Sequence, residues 1–375
     1  MCSKQQDNKT RFIYGEMTED SSPASHLSVA MTTNLAQTTG GTNVTSSSQL
    51  GIEFYFACVV FVIALMGTAA NGLILYALFA SKQHKKHILI VHQNITELFT
   101  SSVTFLIYLL KFCNIYLTGS VGYWLCALLF GEGLMWMGHA VSVVNLAIIT
   151  VERYLKVVYP VWSKTKLKNW MIYSAMAFTW MIPLIAFVGE RFPNSKVIDG
   201  VCISFLSLDS YAATVIFILF RYLSYYIIPI FVFVFCYWRI LTVIRRQARV
   251  MAGHSAAGTS AGQTQSNQIQ TNVIKTMILV SALFAISWTP LYICGVILYL
   301  YPIGMWEGMC YVTTLFAFSN LCTNAFIYAT KFDPVKEVLL RMIPCKKTSE
   351  GNASSTGSGT GQAATNRTKH TARPT

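Results

Sequence analysis

The chain has 375 residues, 54% of them hydrophobic and only 11% charged, whereas a soluble globular domain carries about a quarter charged residues. A mean hydropathy of +0.48, together with apolar runs long enough to cross a bilayer, makes it a membrane protein. The 28 Lys and Arg against 15 Asp and Glu gather in short loops between those runs, a pattern that sets orientation and offers no basic, aromatic-interleaved surface to nucleic acid.

Residues 1–50 are polar and rich in Ser and Thr, without an apolar core that could serve as a cleavable signal. They read as a disordered tail with two glycosylation acceptors, Asn8 and Asn43. Apolar spans follow at about 51–80, 88–112, 121–156, 170–189, 211–244, 272–301 and 306–330. Lengths near 20 or more select helices, since only helices or closed barrels satisfy every backbone group in lipid. Lys82, Lys85 and Lys86 follow the first span, which places the N-terminal tail outside and, with seven spans, the C-terminus inside. The stretch 247–270 is rich in Gly, Ser, Ala and Gln and reads as a flexible loop. After the last span, Val335, Val338, Leu339 and Met342 recur at helical spacing, predicting a short amphipathic helix along the membrane face. Cys345 then reads as a palmitoylation site or as an unmodified thiol. The expected fold is an all-α membrane protein: a seven-transmembrane helix bundle with a short amphipathic eighth helix over 51–345, then a disordered cytoplasmic tail over 346–375.

Several spans carry groups that hydrocarbon penalises. Asn71, Glu97, Ser142, Asn320 and Asn324 are hydrogen-bonding side chains inside apolar runs, so they are expected to converge on one another within the bundle. Glu152 and Arg153 stand side by side where the third span meets water. A mid-bilayer charge costs roughly 2.5–3.5 kcal/mol on insertion scales, so the pair belongs at a boundary or facing the bundle interior. Pro229 and Pro290 remove backbone hydrogen bonds from the fifth and sixth spans, giving hinges through which an outer event could bias an inner face. The ten cysteines lack the spacing of a metal site or a disulfide scaffold. Most, such as Cys58, Cys236 and Cys322, sit in apolar runs and read as buried thiols.

In order, one group per span, these positions resemble the rhodopsin-like G-protein-coupled receptors. The resemblance rests on Asn71 in the first span, Glu97 where that family has an aspartate, and Glu152-Arg153-Tyr154 with Pro160 and Val161 beyond. It continues with Trp180 in the fourth span, then Pro229 and Tyr237, Phe284 and Ser287-Trp288-Thr289-Pro290, and Asn320 with Asn324-Ala325-Phe326-Ile327-Tyr328. The resemblance implies a disulfide between Cys126 and Cys202, a coupling face for a heterotrimeric G protein at Arg153, Val161, Tyr237 and Tyr328, and a toggle at Phe284 and Trp288. It further implies a sodium ion or water cluster amid Asn71, Glu97, Ser142, Asn320 and Asn324. Glu97, longer than aspartate by one methylene, leaves open sodium binding or a protonated carboxyl. Ala325 stands where the family's last motif has proline and removes a kink. Cys126 and Arg153 lie 27 positions apart, two more than is usual in the family, so the third helix is expected to be longer or bulged at its outer end.

On the ligand side, counting inward along the third span reaches Gly133 from Cys126 and Met135 from Arg153. Neither is acidic, which disfavours an amine. The span 306–330 contains no lysine, which excludes a retinal Schiff base. Glu132, Met135, His139, Lys111, Arg221 and Tyr292 remain as pocket candidates, with Tyr123, Trp124, Trp136, Tyr222 and Tyr225. Arg221 either contacts ligand or forms an internal ion pair with Glu132. A charged, aromatic cavity beneath a polar tail favours a peptide ligand. No cofactor other than sodium is implied, and no enzymatic motif is present. A transporter or channel, or a seven-helix scaffold that does not signal, are the alternatives. One further expectation concerns basal signalling: Gln270, 20 positions before Pro290, is neutral where the family often has a second acid for the arginine, leaving Glu152 alone to restrain Arg153.

Overall fold

The computed structural model describes residues 44–85, 87–204, 211–254, 261–300 and 307–342. Asn8, Asn43 and Cys345 lie outside the described residues. Seven helices are long and apolar enough to cross a membrane: Gly51–Ala80, Ile88–Phe112, Gly119–Val158, Asn169–Asn194, Val215–Gln247, Thr271–Ile297 and Gly308–Lys331. The third packs on the second, fourth and fifth, and the seventh closes the bundle against the first and sixth. Their shared core runs from Ile74 and Leu78 through Val143, Leu146 and Ile149 to Phe233, Ile240, Met277, Phe284 and Tyr328. The expected eighth helix is Asp333–Met342. Val335 is buried, Val338 and Leu339 pack on the core, and Met342, the fourth position of the stripe, is exposed.

The helices depart from uniform spans at informative places. The third is broken near its outer end. A wide turn with π-helical spacing covers Cys126–Phe130, with the Gly131 N–H donating to the Cys126 carbonyl at 2.8 Å. Glu132 then adopts a left-handed backbone, φ 59°, before the helix restarts at Gly133. A π turn and a break both absorb extra residues, so the long interval from Cys126 to Arg153 is accommodated outside, as expected from the spacing.

A second π turn, Leu223–Ile227, stands immediately before Pro229 in the fifth span. There the proline cannot donate to the preceding turn and its ring needs room. Ala325 continues its helix, yet the seventh span is interrupted at Ser319, between Glu307–Phe318 and Asn320–Lys331. The backbone stays helical through Ser319, φ −55° and ψ −23°, so the interruption is local. The stretch expected as a flexible loop from 247 to 270 is largely helical: the fifth helix runs on to His254 and the sixth begins at Ala261. Ala, Gln and Arg are good helix formers, and once a helix is nucleated in the bundle each added residue gains a backbone hydrogen bond.

Between the fourth and fifth spans an antiparallel hairpin pairs Ser195–Ile198 with Val201–Ser204. Its turn is Asp199-Gly200, both with positive φ (50° and 81°), the dipeptide that a type I′ hairpin turn favours. A β-carbon on Gly200 would stand 2.0 Å from the Tyr116 ring, so both the turn and its packing require glycine.

Candidate functional site

At the inner end of the third span, Arg153 and Glu152 are both buried. Arg153 Nε lies 3.1 Å from Glu152 Oε2, but neither atom makes an aligned hydrogen bond. The other Glu152 oxygen, Oε1, is held by Lys156 one turn on. Glu152 is therefore divided between two cations. Arg153 also donates from Nη2 to His87 Nδ1 at 3.3 Å, tying it to the start of the second span. One turn above Arg153, the hydroxyls of Thr150 and Tyr237 are 3.0 Å apart, and Tyr237 is 3.1 Å from Ser281 on the sixth span. The Tyr328 hydroxyl is buried and has no hydrogen-bond partner among the described residues. Tyr154 packs edge-on against Tyr159, and Val161, on the short helix Pro160–Lys166, is 76% exposed. The side chain of Gln270 lies outside those described.

Midway through the bundle a polar network centres on Glu97. Its Oε1 accepts from Ser142 Oγ at 2.5 Å, Gln93 Nε2 at 2.9 Å and Asn324 Nδ2 at 2.9 Å. The expected convergence thus joins three of the five groups named from sequence. Asn71 does not reach Glu97: it donates to the Gly67 and Leu321 carbonyls at 2.9 Å each and accepts from Asn94 at 3.0 Å. Asn320 is buried, and its Oδ1 has no partner. Asn71 is drawn away from Glu97 by the Leu321 carbonyl of the neighbouring helix; nothing in the structure explains the unpaired Asn320 Oδ1.

Sequence reasoning missed the far side of this network. Trp180 Nε1 donates to His92 Nε2 at 2.9 Å, and His92 Nδ1 lies 2.9 Å from Asn145 Oδ1. Indole only donates, so His92 is the tautomer protonated on Nδ1. Asn145 Nδ2 then donates to Gln93 Oε1 at 2.7 Å, and Gln93 Nε2 to Ser142 Oγ at 2.7 Å as well as to Glu97. The donors run one way, from the fourth span to the Glu97 carboxyl. The available signal was the run His92-Gln93-Asn94, three polar residues in succession inside an apolar span.

Toward the outer side a cavity of about 260 Å³ is walled by Trp136, Tyr222, Tyr225 and Tyr292, with His139 and Trp288 at its inner wall and Arg221 among its lining. The His139 ring lies 5.0 Å from that of Trp288. Of the pocket candidates, His139, Arg221 and Tyr292 line the cavity, with Trp136, Tyr222 and Tyr225. Met135 does not: it is fully buried against Phe56, Ile107 and Phe318. Glu132 does not either. It is paired with Lys111 at 2.6 Å and accepts from the Tyr108 hydroxyl at 3.3 Å, because its left-handed backbone marks the helix restart on the second-span side. The alternative Arg221–Glu132 ion pair is likewise not formed. Arg221 Nη1 instead meets Glu190 Oε1 and Oε2 at 3.0 and 3.2 Å. Tyr123 donates to the Phe192 carbonyl, and Trp124 is half-exposed against Phe192.

A family model described as the seven-transmembrane receptors of the rhodopsin family matches residues 70–328. The chain belongs to that family. It is 23% identical over 307 residues to the rhodopsin of Enteroctopus dofleini, covering 77% of this chain and 66% of that one; it thus spans just under two thirds of that relative's length. The crystal structure of squid rhodopsin superposes with a TM-score of 0.62 at 18% identity, over 77% of this chain and 85% of the squid chain, a likeness of fold. The family disulfide is present, Cys126 to Cys202, and it pins the third span to the hairpin. A second bridge was not foreseen: Cys294 on the sixth span is bonded to Cys310 on the seventh. Both cysteines lie in apolar runs and carried no spacing signal; only the approach of two helix ends pairs them. By family the chain is a receptor rather than an enzyme.

Proposed function

We propose that this receptor lies in the plasma membrane, N-terminus outside, and passes binding of an extracellular ligand to a cytoplasmic heterotrimeric G protein. The carrying observation is a packed path between the outer cavity and Arg153. Trp288 at the cavity stacks on Phe284 with centroids 5.9 Å apart, and Phe284 meets Phe233 at 6.1 Å. Phe233 stands one helical turn from Tyr237, whose hydroxyl bonds Thr150, one turn from Arg153. A ligand that shifts Trp288 by differential contact in two states can thereby bias the inner end. Release of Arg153 from Glu152 would open a site for the G protein beside the exposed Val161.

For the ligand, a peptide is favoured over an amine, because no acid is among the described residues that line the cavity. At about 260 Å³ the cavity is below the usual 300–1,000 Å³ of ligand sites, so a peptide would insert one end only. For the polar core we propose that it holds no sodium. The Gln93 amide nitrogen donates to both Glu97 Oε1 and Ser142 Oγ, the two oxygens a cation would share, so a neutral donor of the protein's own takes the ion's place. The residues present do not fit the ion.

The test of the coupling reading is nucleotide exchange by purified heterotrimers on membranes carrying the receptor, with Glu152→Gln as the activated form. Exchange above receptor-free membranes supports it. No exchange with representatives of every G-protein class, together with ligand-dependent solute flux, would favour a transporter instead.

A further inference from the structure

Three residues that line the cavity, His139, Tyr225 and Trp288, each carry a polar atom that has no hydrogen-bond partner among the described residues. His139 Nε2, the Tyr225 hydroxyl and Trp288 Nε1 are buried and unbonded, and their residues are at most 8% exposed. A buried polar group without a partner carries a desolvation cost that nothing offsets. The atoms themselves are occluded, but their side chains line the cavity, so a ring rotation would bring an unpaired atom to a ligand that supplies the missing bond. Indole only donates, the phenol donates or accepts, and a neutral imidazole nitrogen does one or the other. The complementary ligand therefore presents at least one acceptor.

Charge narrows the class. Glu190 is the single carboxylate between two guanidiniums, Arg221 at 3.0 Å and Arg191 at 3.6 Å. Glu132, at the outer end of the third span, is matched by Lys111 at 2.6 Å. Among these described groups three cations face two carboxylates, and the cation that lines the cavity is Arg221. A guanidinium in a partly desolvated site presents a planar fork suited to a carboxylate. The walls are aromatic: Tyr222 meets Tyr292 edge-on at 5.0 Å, and Tyr226 stacks behind Tyr292 at 4.2 Å. Such walls favour a flat, unsaturated body.

We propose that the cavity binds an aromatic carboxylate, its ring among Trp136, Trp288 and Tyr292 and its carboxylate on Arg221. This rests on the cavity being the ligand site but not on G-protein coupling. Two sources present that chemistry, a free aromatic acid and the C-terminal residue of a peptide.

The experiment measures binding to the full chain in nanodiscs by thermal shift, without any G protein, so that its failure is separable from a failure of coupling. The probes are N-acetyltryptophan, its neutral amide, tryptamine, and the peptide Gly-Gly-Gly-Trp with a free or an amidated C-terminus. A charge-assisted bond predicts that the free acid binds about tenfold or more tightly than the matching amide. That preference should vanish in Arg221→Gln and persist in Arg221→Lys, with Glu190 still paired to Arg191 in both. A preference shown by N-acetyltryptophan and the peptide alike supports a free acid as sufficient; one shown by the peptide alone supports a C-terminus. Equal binding of acid and amide by the wild-type protein overturns the proposal without recourse to any variant. Binding of tryptamine as tight as the acid, absence of binding by all five probes, or a preference that survives in a folded Arg221→Gln protein, overturns it too.

Discussion

Replacing Glu152 by Gln should raise ligand-free signalling, and the structure gives the size of the effect. Across 3.1 Å, at the effective dielectric near 20 that suits protein ion pairs, the gross attraction of two unit charges is about 5 kcal/mol. Much of this is offset. Desolvation opposes it, the side chains being only 10% and 9% exposed. The Nε and Oε2 atoms are not aligned as a hydrogen bond, and Lys156 competes for the same carboxylate. A net restraint of about 1–2 kcal/mol remains, which moves a two-state balance about tenfold. Glu152→Gln should therefore increase ligand-free nucleotide exchange several-fold to about tenfold, measured in membranes at matched surface expression. Lys156→Met is the complementary perturbation. It leaves Glu152 to Arg153 alone and should lower ligand-free exchange. If Glu152→Gln leaves exchange unchanged, or Lys156→Met raises it, the carboxylate is not what restrains Arg153.

Other expectations follow from particular contacts. Cys294→Ser and Cys310→Ser should each lower the thermal midpoint, and the double variant should be no worse than either, since closing a 16-residue interval contributes about 3 kcal/mol in the chain-entropy account; additive losses would argue against the bridge. The same non-additivity is expected in surface expression for Cys126→Ala and Cys202→Ala. Raising sodium at constant ionic strength should leave the wild-type thermal midpoint unchanged, whereas Gln93→Ala should confer a sodium-dependent rise; a sodium response in the wild type would refute the stand-in role of the Gln93 amide. Glycosidase-sensitive mass should disappear when Asn8 and Asn43 are both replaced by Gln, and its persistence would reverse the orientation read from loop charge.

How far these features can be read from the chain differs from residue to residue. Glu152, Arg153 and Asn324 announce themselves, because a charge or amide in an apolar run has few places to go. So does the interval from Cys126 to Arg153, whose excess length predicts a bulge. Glu132 misleads for the same reason: an acid at the outer end of the third span faces the ligand in a uniform helix, whereas a left-handed residue after a π turn aims it at Lys111. Met135, on that same counting, falls on the core side rather than in the cavity.

The amino-acid sequence by itself determined the span number and the family, since bilayer thickness and the cost of polar groups in hydrocarbon act on each segment separately. Only the tertiary structure decided the partners. Glu190 rather than Glu132 meets Arg221, Gln93 joins Glu97 and Ser142, and Cys294 finds Cys310. Each pairing depends on the rotation and spacing of two helices distant in sequence, which no periodicity within one helix encodes.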